Sequence, residues 1–234
     1  MECPCWIEFD FSSFRARNLQ KVRASVWEAK EPLHAEFNEQ AGGDNVMAVS
    51  RGQHDVTVLA GLHLSGYEDG IVTIPLGAQS DSLCVCTKRL DCSGEVIGFA
   101  PEANRQFASV TLKVMDEHFE DDLRDMKVVG DINGFDCRNM VPRSGKMEFS
   151  LPRSESHEYK FRLPRQTLFS QVYLRVERIS DTVNLPLGDW ISRAGYDWFE
   201  EDLREVEIVV NETETTVKVT ISGWGDGNEY IMDF

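Results

Sequence analysis

The sequence predicts an all-β protein built from two consecutive Greek-key β-sandwich domains. Three observations carry that prediction. Apolar and polar residues alternate with a period of two over many short runs, turn signals separate most of these runs at intervals of about ten residues, and no helix longer than about three turns is indicated. A chain of 234 residues is long enough for one large all-β domain or two of ordinary size.

The elements follow in order. Trp6–Phe11 alternates apolar with acidic residues, as a half-buried strand does. Ser12–Leu19 is turn-like and polar. Lys21–Ala29 alternates again, with Val22, Ala24 and Val26 on one face, until Pro32 and the polar run to Asp44 break it, Gly42-Gly43 marking a turn. Asn45–Ser50 and His54–Gly61 flank the tight turn Arg51-Gly52-Gln53 and are expected to form an antiparallel hairpin. Gly66–Gly70 is expected as loop, Ile71–Leu76 as a strand closed by Pro75, and Ser82–Leu90 as a strand carrying Cys84 and Cys86.

Gly94–Arg105, with Gly98, Pro101 and a polar tail, is expected to be the boundary between domains 1–102 and 103–234. Phe107–Met115 opens the second set, and an acidic segment leads to Met126–Ile132. A turn is expected at Asn133-Gly134, with short strands at Met147–Leu151 and Tyr159–Leu163 and a longer one at Leu168–Glu177. The last quarter, Leu187–Phe234, organises the reading. It is expected as a short capped helix (LGDWISRAGYDW), strands at Val206–Asn211 and Thr215–Trp224, a Gly-Asp-Gly-Asn turn and a closing strand at Glu229–Phe234. That is the closing edge of an antiparallel sandwich.

A formal net charge of −16 makes nucleic acid or an anionic bilayer an improbable partner. The densest basic group, Arg15, Arg17, Lys21 and Arg23, reads as a solvated face. No run approaches the roughly 18 apolar residues of a membrane-spanning helix, and no signal-like region stands at Met1, so a mature domain with its targeting segment removed is expected. Six cysteines permit three disulfides in an oxidising compartment. Cys3/Cys5 and Cys84/Cys86 are C-x-C pairs, whose sulfurs share one face of a strand with Cα atoms about 6.5–7 Å apart, too strained to bond within a pair. A four-thiolate zinc site from the two pairs is the rival reading. Structural zinc ordinarily uses C-x2-C knuckles on turns, so buried or loosely paired thiols are expected instead.

The remaining chemistry-bearing residues each have two readings. Trp190, Tyr196 and Trp198 would stack on sugar rings if exposed, or plug one end of a sandwich if buried; Leu187, Ile191 and Leu203 nearby favour burial. Asp197 reads as a turn residue rather than a catalytic carboxylate. The acidic group Asp116, Glu117, Glu120, Asp121, Asp122 and Asp125 lacks the spacing of a calcium loop and reads as a solvated connector. His34, His54, His63, His118 and His157 are scattered, and none pairs with another at metal-ligand spacing. No hydrolase elbow, zincin helix, phosphate loop or dinucleotide fingerprint is present. No catalytic, cofactor or metal residue is therefore assigned, and no enzymatic activity or cofactor is expected.

Five short patterns occur together in one order. They are Cys3-Pro4-Cys5-Trp6; R-G-x-x-x-V-T-V-x-A-G (Arg51, Gly52, Val56, Thr57, Val58, Ala60, Gly61); Leu163-Pro164-Arg165-Gln166-Thr167; L-G-x-W-I…G-Y-D-W (Leu187, Gly188, Trp190, Ile191, Gly195 to Trp198); and Gly223-Trp224. The ordered set resembles the fimbrial anchor, or basal, subunits of Bacteroidales-type pili over nearly the whole chain, most strongly across Leu163–Trp224. The resemblance implies transthyretin-like sandwiches, an outer-membrane lipoprotein at the cell surface, and a role in holding and limiting a pilus shaft. Its implied partners are shaft or accessory subunits and, through a lipid anchor upstream, the outer membrane. The family's signal peptide and lipid-bearing cysteine are absent from this sequence; Cys3 would serve only behind an apolar signal. The sequence also stops on a strand with no segment to spare, which favours a basal position, or a last strand that is itself lent. With that resemblance, the function expected is structural: a cell-surface pilus subunit of the anchor type, engaging a shaft subunit through an edge strand that another polypeptide completes. A surface adhesin or glycan-binding module using exposed aromatics is the alternative, and a secreted enzyme with a deep titratable cleft the third.

Overall fold

Alternating runs do become strands. The computed structural model describes residues 3–19, 21–28, 32–38, 45–116, 118–119, 121–168, 170–211, 216–222 and 229–233. In the first half of the chain these form β1 (Cys5–Phe9), α1 (Ser12–Ala16), β2 (Lys21–Trp27), β3 (Leu33–Asn38), β4 (Val46–Val49) and β5 (Gln53–Ala60). They continue with β6 (Gly66–Glu68), β7 (Ile71–Thr73), β8 (Cys84–Asp91), β9 (Val96–Phe99) and β10 (Asn104–Arg105). The second half contributes β11 (Phe107–Val114), β12 (Leu123–Asp136), β13 (Val141–Ser150), β14 (Glu158–Pro164) and β15 (Val172–Arg178). β16 (Thr182–Leu185), α2 (Leu187–Arg193), β17 (Glu205–Asn211), β18 (Thr216–Ile221) and β19 (Glu229–Asp233) follow. The protein is all-β, and among the described residues no helix is long and apolar enough to cross a membrane.

The chain divides into two compact units: residues 1–72, 81–106 and 135–141, and residues 73–80, 107–134 and 142–234. The expected domains 1–102 and 103–234 are continuous in sequence, whereas these units exchange two short segments. Residues 73–80 are held in the second unit, where the amides of Ile74 and Gly77 donate to the carbonyls of Asn133 (2.7 Å) and Glu148 (2.8 Å). Residues 135–141 serve the first. There Phe135 and Cys137 pack with Leu59, Val72, Leu83 and Val85. Leu59 and Val85 lie on the face of β5 and β8 turned away from the main core, so these strands are buried on both faces.

In the first unit a sheet ordered β4-β1-β9 faces one ordered β10-β8-β5-β2-β3. Cys5, Ile7, Phe9, Met47, Val49 and Phe99 from one meet Val22, Ala24, Val26, Val56, Val58 and Cys84 from the other. The hairpin expected over Asn45–Gly61 does not form: β4 pairs with β1, and β5 with β2 and β8. Both strands drive their apolar faces into the same core from opposite sheets, and Gly52, at φ +138°, lets the chain cross between them. Gly61 closes the R-G-x-x-x-V-T-V-x-A-G pattern because its φ is +88° and a Cβ there would lie 2.0 Å from the Ser82 carbonyl oxygen.

Four further expectations for this unit are corrected. The turn-like Ser12–Leu19 contains α1, and the loop Gly66–Gly70 contains β6. The polar break after Pro32 contains β3, an edge strand whose half-buried and exposed residues alternate. The boundary segment Gly94–Arg105 contains β9, which pairs parallel to β1, and β10. The turn expected at Gly42-Gly43 lies outside the described residues.

The loop after β5 is fixed by Asp81, which is 2 % exposed. Its carboxylate accepts the backbone N–H groups of His63 (3.0 Å), Leu64 (3.1 Å) and Ser65 (2.8 Å). Burial works to raise this carboxyl, but the N–H donors outweigh it and hold it below its ordinary value. A carboxylate with a depressed folded pKa stabilises above its unfolded pKa and stops doing so as pH falls through the folded one. Asp81→Asn is therefore expected to lower stability by about 1–3 kcal/mol at pH 7. In urea titrations at several pH values, the gap from the unsubstituted protein should narrow below the unfolded Asp value of about 3.9.

In the second unit a sheet ordered β14-β11-β17-β18-β19 packs on β12, β13, β15 and β16. Val110, Leu112, Phe161, Ile208, Val217 and Val219 face Met126, Val128, Met147, Phe149, Leu174 and Val176. β17 enters by a parallel pairing with β11, so the closing sheet is mixed rather than wholly antiparallel. No turn forms at Asn133-Gly134; β12 runs through it. The Asn133 side chain instead lies over Gly145, where a Cβ would sit 2.1 Å from its Oδ1. The turn falls at residues 137–140, where Asp136 Oδ1 accepts the amides of Arg138 and Asn139 and Met140 takes φ +57°. The expected Gly-Asp-Gly-Asn turn lies outside the described residues, and β16, not expected from the sequence, pairs with β15.

Candidate assembly surface

The aromatic group of the last quarter is interior. Trp190 is 3 %, Tyr196 7 % and Trp198 4 % exposed, and all three belong to the second core with Leu187, Ile191 and Leu203. The Tyr196 and Trp198 rings lie 4.5 Å apart at 58°. The Tyr196 hydroxyl donates to the Arg204 carbonyl (2.9 Å), the hydrogen bond a buried phenol requires. Asp197 is the turn residue expected, its Oδ1 accepting the Phe199 amide (2.8 Å). The helix beneath, α2, lacks the side-chain cap expected for it: Pro186 is its N-cap, with Asp189 in the first turn and Arg193 in the last. An adhesin or glycan site built on these three aromatics is thus overturned by their burial.

Sequence reading missed the residue that fastens this plug. Arg165, 7 % exposed, donates from its guanidinium to the carbonyls of Trp198, Glu200 (2.7 Å) and Glu201 (3.2 Å). Burial lowers its pKa, opposed by the charges of Tyr196, Asp197 and Asp202. Two of the short sequence patterns, L-P-R-Q-T and G-Y-D-W, are therefore halves of one latch.

The remaining candidates are occupied locally. Asp116 accepts the His118 amide (2.9 Å), Asp121 pairs with His118 (3.0 Å) and Asp125 with Lys127 (2.8 Å). Glu117 and Glu120 lie outside the described residues. His54 is buried against the Ser50 carbonyl (2.8 Å). Cys3 is exposed, Cys86 half-buried, and Cys5, Cys84, Cys92 and Cys137 are buried, all as thiols. Among the described residues no three His, Cys, Asp or Glu side chains converge as metal ligands would. A recess of about 330 Å³ in the first unit is lined by Arg23, Ser25, His34, Glu36 and Tyr67. Its polar groups satisfy one another: Ser25 bonds His34 (2.8 Å) and Tyr67 (3.2 Å), and Arg23 pairs with Glu36 (2.6 Å).

What is left open is a strand edge. The two ends of the second unit's five-stranded sheet differ. At one end β14 is guarded. Lys160 pairs with Glu158 (2.8 Å), the Arg162 amide donates to the Gln79 side chain (3.0 Å), and its guanidinium to the Ser80 carbonyl (2.8 Å). Charge and an overlying segment are the usual means of blunting an edge.

At the other end stands β19, which among the described residues pairs with β18 alone. Tyr230 lies opposite Val219, and Ile231 opposite Lys218. Val219 points into the core and is fully buried, yet Tyr230, on the same face of the sheet, remains 41 % exposed. Ile231, on the reverse face, is 64 % exposed. Among the described residues the core is thus open on the inner side of β19. A further strand laid along it would gain a main-chain ladder and cover Tyr230 at once.

No protein-family model and no curated protein matches the chain. Solved structures do. A candidate polysaccharide-binding protein from Bacteroides thetaiotaomicron superposes with a TM-score of 0.64 at 11 % identity, covering 100 % of this chain and 98 % of its own. A candidate adhesin from Bacteroides ovatus gives 0.66 at 12 %, with 98 % and 96 % covered. The fimbrial anchor protein Mfa2 from Porphyromonas gingivalis gives 0.63 at 10 %, with 94 % and 97 % covered. At such identities the likeness is one of fold, and at that level the resemblance seen in the sequence holds over 94 % of the chain.

Proposed function

We propose that this chain, similar in fold to the fimbrial anchor Mfa2, is a non-enzymatic structural subunit of a cell-surface pilus. In this reading it anchors or caps the base of the fibre by strand complementation with a shaft subunit, and β19 is the edge that receives the strand. The partial exposure of Tyr230 beside the buried Val219 carries the reading, because it marks core surface that the described residues leave uncovered. The guarded β14 edge supports it by leaving one end of that sheet for the partner. Affinity would come from the ladder and specificity from alternate side chains entering the open face. An outer-membrane location, through a lipid anchor preceding this chain, belongs to the same proposal, as does functional division near residues 102 and 103. Nucleic acid is no partner at this charge.

A second reading, an adhesive or glycan-binding module, has one observation in its favour. Trp6 is 46 % exposed on β1 beside Val96, 55 % exposed, in the β1–β9 register. The experiment that separates the two uses the chain as bait for an outer-membrane extract of the native host. Recovery of a fimbrial shaft subunit, identified by mass spectrometry, is expected. Retention on a glycan matrix with no fimbrial subunit recovered would favour the second reading instead.

A further inference from the structure

We propose that Cys5 and Cys92 join in a disulfide that ties the start of β1 to the turn after β8, linking the two facing sheets of the first unit. Both side chains are fully buried in the same core, and the two thiols lie within hydrogen-bonding reach of each other. The backbone holds them there. Cys5 stands opposite Val49 in the β1–β4 ladder. Three residues on, Gly52 exchanges two hydrogen bonds with Cys92, 2.7 Å and 3.4 Å long. Outside the pair, and among the described residues, the Cys5 thiol has only a long contact with the Trp6 carbonyl (3.9 Å). Of the other cysteines, Cys3 is exposed, Cys84 and Cys86 adjoin this core but stand eight and six residues before Cys92, at the far end of β8, and Cys137 belongs to the smaller cluster with Phe135.

The chemistry fixes when the bond forms. Burial, and then the neighbouring Cys5 thiol, push the Cys92 thiol up to about 11. At pH 7 only about one part in ten thousand is then thiolate, the form that attacks a disulfide. Oxidation therefore belongs to the folding chain, before the core closes. One thiolate attacks a low-molecular-weight disulfide and expels a thiolate. The second cysteine then attacks the mixed disulfide and expels the other, so two protein thiols are oxidised while one external disulfide is reduced to two thiols. Once closed, the bond is shielded from reductant. It would span a loop of about 90 residues, a size at which crosslinking restricts the unfolded chain strongly. The inference needs an oxidising compartment but not the strand-accepting role of β19.

The test refolds the full chain from denaturant with a mixture of reduced and oxidised glutathione, blocks free thiols and maps tryptic peptides without reduction. Peptide 1–15 is expected joined to peptide 90–105. Because peptide 1–15 also holds Cys3, the link should persist in Cys3→Ser and vanish in Cys5→Ser. Reductant added to the unfolding experiment should lower the melting temperature by on the order of 10 °C, an effect absent in the Cys5→Ala/Cys92→Ala double variant. Peptides recovered unlinked after refolding, or a link that persists in Cys5→Ser, would overturn the proposal. The map on the unsubstituted chain decides the matter even if a variant does not fold.

Discussion

Trp190→Ala is expected to destabilise the second unit by about 3–5 kcal/mol, the usual cost of truncating a buried indole. Trp190 is 3 % exposed and packs with Leu187, Ile191, Tyr196 and Trp198 where α2 closes one end of the sandwich. Alanine would leave a void inside this core, beside the Trp198 segment that Arg165 fastens, with little freedom to collapse. The penalty should therefore lie at the upper end of that range. Urea unfolding reads it as a lower midpoint at an unchanged slope. A sugar-stacking, solvent-facing tryptophan would instead show a change of no more than about 0.5 kcal/mol. The same experiment thus separates a structural plug from the ligand platform that the aromatic cluster first invites.

Tyr230→Lys should leave the fold nearly unchanged but weaken capture of a shaft subunit by at least about tenfold. A large apolar side chain contributes about 1.5–3 kcal/mol when covered, and each 1.4 kcal/mol is a factor of ten. Tyr230 is 41 % exposed in the isolated chain, so little folding energy rests on it, whereas a docked strand would cover it. A lysine there would also place a charge on the face the partner must dehydrate, the device by which sheets ordinarily protect their edges. Ile179→Lys is the control. Ile179 is 64 % exposed in the turn between β15 and β16, which belong to a different sheet from β19, and its substitution should leave capture unchanged. Biosensor titration against a purified shaft subunit reads both.

These predictions rest partly on features the sequence displays and partly on features it hides. β1, β11, β17 and β18 are visible because one face of each is buried and the other is more exposed, so their residues alternate. β3 was hidden because it is an edge strand with no fully buried residue, and β9 because Gly98 interrupts its pattern. Asn133-Gly134 carries a strong turn signal, but pairing within β12 and the close fit of Asn133 over Gly145 override it. The crossing at Gly52 could not be told from a hairpin, because alternation reports which residues face a core and not which sheet presents them.

The candidate site divides in the same way. Burial of Trp190, Tyr196 and Trp198 was readable from their apolar neighbours. The role of Arg165 was not, because its acceptors are backbone carbonyls 33 to 36 residues away, and carbonyls leave no mark in a sequence. The openness of β19 was likewise invisible. It depends on how far the facing sheet extends, a property of two distant segments.

Hydrogen–deuterium exchange of the chain, alone and with a purified fimbrial shaft subunit, tests the central claim most directly. The predicted result is new protection of the amides of β19, with β18 slowed alongside it and β14 unchanged. Binding that leaves β19 exchanging at its free rate would contradict it.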